Sequence, residues 1–201
     1  MKGESMVDHM PKHASDCNGE TGATSIIARV GAYWSSLRRD GRLPARADID
    51  PKALGDALPH VFLAEIVTQR VARLRICGHK VENLMGMDMR GMSLSVLFTG
   101  AARDEVRDAL AQIAHGARVT LALETERDFG LPQVTARLAL LPLADLGGRC
   151  NRVLGVLVTE GETGRGPRRF ALARMLSELN DAAPAQVEPP VLRVIEGGRR
   201  F

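Results

Sequence analysis

Apolar residues change their spacing several times along this chain, and each change marks an element. Ile26, Ile27, Val30, Tyr33, Trp34 and Leu37 recur at helical spacing behind a Thr24-Ser25 cap, which predicts an amphipathic helix closed at Gly41. Asp50 followed by Pro51 predicts a short second helix running to about Ala57 and stopping before Pro59, because a capping carboxylate precedes a ring that fits the first helical position. Residues 60–68 and 71–77 alternate with period two and predict a hairpin across Gln69-Arg70, with Ala72, Leu74 and Ile76 on one face of its second strand. Residues 78–98 are punctuated by Gly78, Gly86 and Gly91 and contain Met85, Met87, Met89 and Met92, a pattern of short helical turns ending at Phe98. A longer helix is predicted from about Ala101, with Asp104 and Glu105 in its first turn, a stripe of Val106, Leu110 and Ile113, and a stop at His115-Gly116. Three strands follow within residues 119–123, 134–143 and 152–159. Phe170, Leu172, Met175, Leu176 and Leu179 predict one more helix, and residues 191–195 an apolar, strand-like tail.

Two strands, then helices, then three strands in series describe the α+β class. The expected architecture is a five-stranded antiparallel sheet with helices across one face, plus the leading N-terminal helix. Residues 1–24 read as a polar tail, 25–160 as the folded domain, and 161–201 as a Gly-rich linker, a C-terminal helix and a tail. His9 and His13 lie four apart, but in the tail, where solvated side chains are expected rather than a metal pair. The leading helix carries the only Trp and the only Tyr of the chain. Its apolar face must pack on its own sheet or on a second copy, and Ile26, Ile27, Val30, Tyr33, Trp34 and Leu37 are the expected contact of a homodimer. Helices that cross one sheet face enclose a concave space suited to a small molecule.

Composition narrows the picture further. Apolar residues make up 45% and aromatics only 3%, so aliphatic side chains and Met must fill the core. The net charge of +3 is too mild to argue for nucleic acid. Lys2, Lys12, Lys52 and Lys80 are the only lysines, so Arg dominates the basic residues, a bias that reflects genome composition before it reflects phosphate recognition. Cys17, Cys77 and Cys150 fit neither a zinc pattern nor a redox pair, and reduced thiols in the cytoplasm are expected. No stretch approaches the roughly 18 apolar residues of a membrane span, and the polar start lacks the apolar centre of a signal peptide.

Several segments together resemble a bacterial family of single-domain PAS proteins typical of alphaproteobacteria. They are Tyr33-Trp34, the Pro-x-Arg-x-Asp-Ile-Asp-Pro element of residues 44–51, Leu58-Pro59-His60-Val61-Phe62-Leu63, Arg73-Leu74-Arg75-Ile76-Cys77-Gly78, and Gly86-Met87-Asp88 with Gly91 after it. The resemblance covers about residues 26–159. It implies sensing or protein contact, and no catalytic residues. A departure stands at His79, where the family often has a small hydroxyl residue.

Candidate chemistry is correspondingly sparse. His79, Met85, Met89, Phe98 and Arg75 are the expected ligand-pocket residues: His79 as a hydrogen-bonding or titrating group, the methionines as an adaptable wall, and Arg75 for an anion. Each has a plainer reading, as a helix cap, irregular core filling, or a cation paired with Glu65. The cysteine loop of flavin photochemistry is missing, since Cys77 lies in a strand and Cys150-Asn151 reverses the local order. His115 ends a helix, where capping explains it better than haem ligation. Cofactor identity is open, with haem and flavin disfavoured, and no metal motif is present. The expectation is a non-enzymatic PAS-type module that binds a small ligand or a partner protein and signals through a partner. The alternatives are a ligand-free adaptor docking through its helical face or residues 191–195, and an isomerase-like enzyme on a related scaffold, which the apolar strands disfavour.

Overall fold

The computed structural model describes residues 18–127, 130–145 and 147–178. The predicted hairpin is β1 (Val61–Thr68) and β2 (Val71–Cys77), and the predicted meander is β3 (Arg118–Thr125), β4 (Thr135–Ala144) and β5 (Cys150–Glu160). Every pairing is antiparallel, and β1 lies against β5, so these five strands run β2-β1-β5-β4-β3.

A sixth strand, β6 (Phe170–Glu178), joins the free side of β3. It replaces the helix expected from Phe170, Leu172, Met175 and their neighbours, and it places residues 170–178 in the sheet rather than in a separate C-terminal part. The cause is a bulge. Leu172 pairs with Leu123 and Arg174 with Ala122, which leaves Ala173 as an extra residue. The positions packed on the core therefore fall at 170, 172 and 175, a spacing that imitates a helix. The connection before β6 is strapped down rather than loose. Buried Arg168 donates from its guanidinium to Thr125 Oγ1 at 3.1 Å and to the Pro132 carbonyl, while its backbone N–H reaches Leu84 O at 2.8 Å.

Helices cover both sheet faces. α1 (Asn18–Ser36) starts before the expected Thr24-Ser25 cap and crosses the outer face over β4 and β5. α2 (Pro51–Leu54) is capped by the Asp50 carboxylate, which accepts from Lys52 N at 2.9 Å. It passes into a 3-10 helix, Gly55–His60, that contains Pro59 instead of stopping before it. α3 (His79–Met85) and α4 (Arg103–Ala114) lie on the inner face, α4 through Val106, Ala109, Leu110 and Ile113. With helices on both sides, β4 is buried at nearly every position, which explains its unbroken apolar run. Residues 1–17 and 179–201, including His9, His13 and residues 191–195, lie outside the described residues.

The segment between α1 and α2 is tied to the end of β4 and to α1. Pro44 O accepts from Ala144 N at 2.8 Å at the end of β4. The Asp48 carboxylate accepts from Ala45 N at 2.8 Å, and Tyr33 Oη accepts from Asp50 N at 2.8 Å. The carboxylates of this element thus serve its own backbone.

Candidate functional site

The inner face, where topology predicts a small-molecule chamber, is packed with side chains. Phe62 of β1 is fully buried, and its ring lies over Gly155 of β5, the residue paired with it. A Cβ at position 155 would overlap three atoms of that ring. Leu74, Met89, Leu94, Leu97, Phe98 and Leu138 belong to the same core cluster, all at 1% exposure or less. The expected ligand-wall residues Met85, Met89 and Phe98 are members of this core cluster. Flexible Met fills space that a chain poor in aromatics cannot fill otherwise. Arg75 is also removed from the inner chamber, because its guanidinium pairs with Glu65 at 2.6 Å on the sheet surface.

An open cleft lies on the other face. Across the β1–β2 hairpin, Leu63 pairs with Ile76 and Ala64 with Leu74, so Arg75 is the extra residue of a bulge. The bulge turns Ile76 away from Leu74, with which its spacing groups it, onto the same face as Leu63. α1 covers the neighbouring strands but leaves this corner uncovered, and Ile76 is 53% exposed and Leu58 44%. The cleft encloses about 400 Å³ and is lined by Ile49, Leu54, Leu58, Leu63, Ile76 and Leu154 among others, with Arg46, Cys77 and His79 as its ionisable groups. Gly78 shapes one wall: its N–H donates to Val61 O at 2.7 Å, and a Cβ there would overlap the Leu58 and Pro59 carbonyl oxygens. Of the expected pocket residues, His79 alone lines this cleft. Sequence reasoning missed Arg46, Leu58 and Ile76. The signal available for Arg46 and Leu58 was the pair of segments that hold them, which in the sequence stand only as marks of resemblance.

Residues 23–158 match the PAS domain family. The chain belongs to that family. Among solved structures this PAS domain is similar to the LOV domain of the blue-light photoreceptor Aureochrome1, in its light state at 18% identity over 55% of this chain and 88% of that one, with a TM-score of 0.40. The dark state of the same photoreceptor gives 19% identity, 55% and 82% coverage, and a TM-score of 0.42. A fungal LOV domain photoreceptor gives 21% identity over 70% of this chain and 96% of that one, with a TM-score of 0.40. Similarity at this level extends to no function. No curated protein matches the chain in sequence.

In this PAS domain the leading helix packs on its own sheet, one of the two partners expected for its apolar face. Val30 and Trp34 are buried in the chain's own outer-face core. Trp34 Nε1–H donates to Pro142 O at 2.8 Å, and the Arg38 and Arg118 guanidinium groups lie 5.5 and 6.0 Å from its ring centroid. These two residues cannot meet a second copy while α1 is docked. Ile26, Ile27, Tyr33 and Leu37 pack on the same core and are partly exposed.

The remaining chemistry is quiet. Burial, together with the carboxylates of Glu82 and Asp88, pushes the Cys77 thiol up to about 12, so it stays protonated at neutral pH. Burial also pushes Cys150 up to about 12, and its Sγ donates to Ile113 O at 3.0 Å. His60, behind the cleft wall, is buried with Nδ1 at 3.2 Å from Leu157 O. Burial first, and then the Lys80 charge, lower its basicity. Among the described residues no three His, Cys, Asp or Glu side chains are grouped to hold a metal ion, and no helix is long and apolar enough to cross a membrane.

Proposed function

We propose that this PAS domain is a sensory and interaction module of the bacterial, alphaproteobacterial single-domain type, which takes its input at the outer cleft and passes it on by contact with a partner protein. The observation that carries this reading is the cleft itself: about 400 Å³ of mostly apolar surface beside exposed Leu58 and Ile76, within the range of roughly 300–1,000 Å³ usual for small-molecule sites. The module works by binding, not catalysis, in the cytoplasm. The apolar lining and the high basicity of the Cys77 thiolate support that view. Homodimerisation belongs to the same reading, through the partly exposed flank of α1 at Ile26, Ile27, Tyr33 and Leu37.

A second reading, a ligand-free adaptor, is favoured by the closely packed inner chamber. Native mass and absorbance of the freshly purified, untagged chain separate the two. The sensory reading expects a small non-covalent adduct that disappears in Ile76→Glu, with no visible chromophore. A bare mass, together with partner capture that survives Ile76→Glu, would leave the adaptor standing instead. A flavin or haem band would show that the inner chamber opens, against both readings.

A further inference from the structure

From the lining of the cleft we infer that its ligand is an amphipathic carboxylate: a medium-length apolar chain ending in a single anionic group held by Arg46. This rests on the cleft being the input site. The body of the site is aliphatic, with Ile49, Leu54, Leu63, Ile76 and Leu154 lining it without a charged group among them. Such a surface rewards each methylene withdrawn from water and offers a polar chain no hydrogen bonds. The charge in the cleft is of one sign. Arg46 is half-buried on the segment that borders it, and His79 opens α3 on the opposite strand connection. Among the described residues no acidic side chain lines the cleft.

Arg46 is also available. The nearby Asp48 carboxylate is engaged by Ala45 N at 2.8 Å, and Asp50 by Lys52 N at 2.9 Å. Asp56 pairs with Arg29 at 2.5 Å. A half-buried Arg beside apolar walls, with the neighbouring carboxylates hydrogen-bonded by backbone N–H groups or paired with Arg29, favours an anion that brings its own apolar body. The planar fork of Arg matches a carboxylate with two parallel hydrogen bonds. The thiol of Cys77 stays protonated and adds no opposing charge.

The test is calorimetric titration of the full chain with decanoate, decanol and butyrate. Decanoate should bind with a 1:1 endpoint, decanol about ten- to a hundredfold more weakly, and butyrate more than a hundredfold more weakly. Arg46→Gln should weaken decanoate to the level of decanol while leaving decanol unchanged. Ile76→Glu should remove binding of both. Ile76 is a surface residue, so this variant should keep the wild-type circular dichroism and melting temperature. Equal affinity for decanoate and decanol overturns the carboxylate assignment. So does absence of decanoate binding, or decanoate binding untouched by both variants. If decanoate fails while the purified chain still carries an adduct sensitive to Ile76→Glu, this inference falls and the sensory reading stands.

Discussion

Packing on the inner face can be tested at the contact of Phe62 with Gly155. In a strand interior, Gly→Ala ordinarily stabilises by roughly 0.5–1 kcal/mol, because Gly has more backbone freedom to lose. Here the sign should reverse. The new Cβ would overlap Cζ, Cε1 and Cε2 of a ring that is fully buried in the inner-face core cluster. Overpacking of this kind costs about 1–3 kcal/mol, so Gly155→Ala should destabilise by about 2 kcal/mol despite the propensity gain. Phe62→Ala should cost about 3–5 kcal/mol, mostly through the cavity it leaves. In the double variant the overlap is gone and the methyl added at position 155 partly fills the space, so the combined loss should be smaller than the sum by about 2 kcal/mol. Urea unfolding followed by the fluorescence of Trp34, the single tryptophan, measures all three. Additive losses, or Gly155→Ala within about 0.5 kcal/mol of wild type, would mean that the ring does not rest on Gly155. The space over β5 would then be open to a ligand.

Trp34→Ala should destabilise the monomer by about 3–5 kcal/mol, since a fully buried indole and its bond to Pro142 O are lost; an unchanged urea midpoint with a halved native mass would instead restore Trp34 as a dimer contact. Lowered basicity of folded His60 means that the unfolded chain binds its proton more readily. That contribution to stability is complete above the ordinary histidine value of 6.5 and is lost as pH falls below it. His60→Gln should flatten stability against pH in that window, and an unaltered slope would exclude His60 as its source. Cys77 and Cys150 should alkylate with iodoacetamide at pH 8 at least tenfold more slowly than the same cysteines in urea, read peptide by peptide by mass spectrometry. Arg168→Ala should cost about 2 kcal/mol by removing the donors to Thr125 and Pro132, and a neutral effect in thermal melting would show that the strap before β6 is dispensable.

Much of this architecture was legible because local signals agreed with one another. The Asp50-Pro51 start, the acidic first turn of α4 and the strands expected at β1, β3, β4 and β5 each matched the final element. The two important misses share one cause. An extra residue at Ala173 turns period-two spacing into a helical imitation, and an extra residue at Arg75 turns Ile76 from the expected inner face to the outer one. A bulge has no compositional signature at either place, and it is fixed by the partner strand, which lies far away in sequence. The cleft was hidden for the same reason, since Ile76 counts toward it only once it has been turned. The inner pocket was expected from topology alone. Whether such a space is hollow depends on a ring from β1 meeting a glycine on β5, a pairing between residues 62 and 155 that no local pattern contains.

The borders of the sheet carry a different consequence. Along β2, the segment of residues 91–93 already occupies the outer hydrogen-bonding side: Leu74 N donates to Met92 O at 2.9 Å, and Gly91 N donates to Leu74 O at 2.7 Å. Along β6 the first residue alone is so engaged among the described residues, where Thr99 N reaches Phe170 O at 2.9 Å. From Ala171 onward, the side of β6 away from β3 has no strand beside it among the described residues. Among the described residues this is the margin left for a seventh strand, three to five strand spacings of about 4.8 Å from the strands that line the cleft. A chain recruited there by backbone pairing would leave the cleft unobstructed, so both could be filled at once and any influence between them would have to pass through β3 and β4.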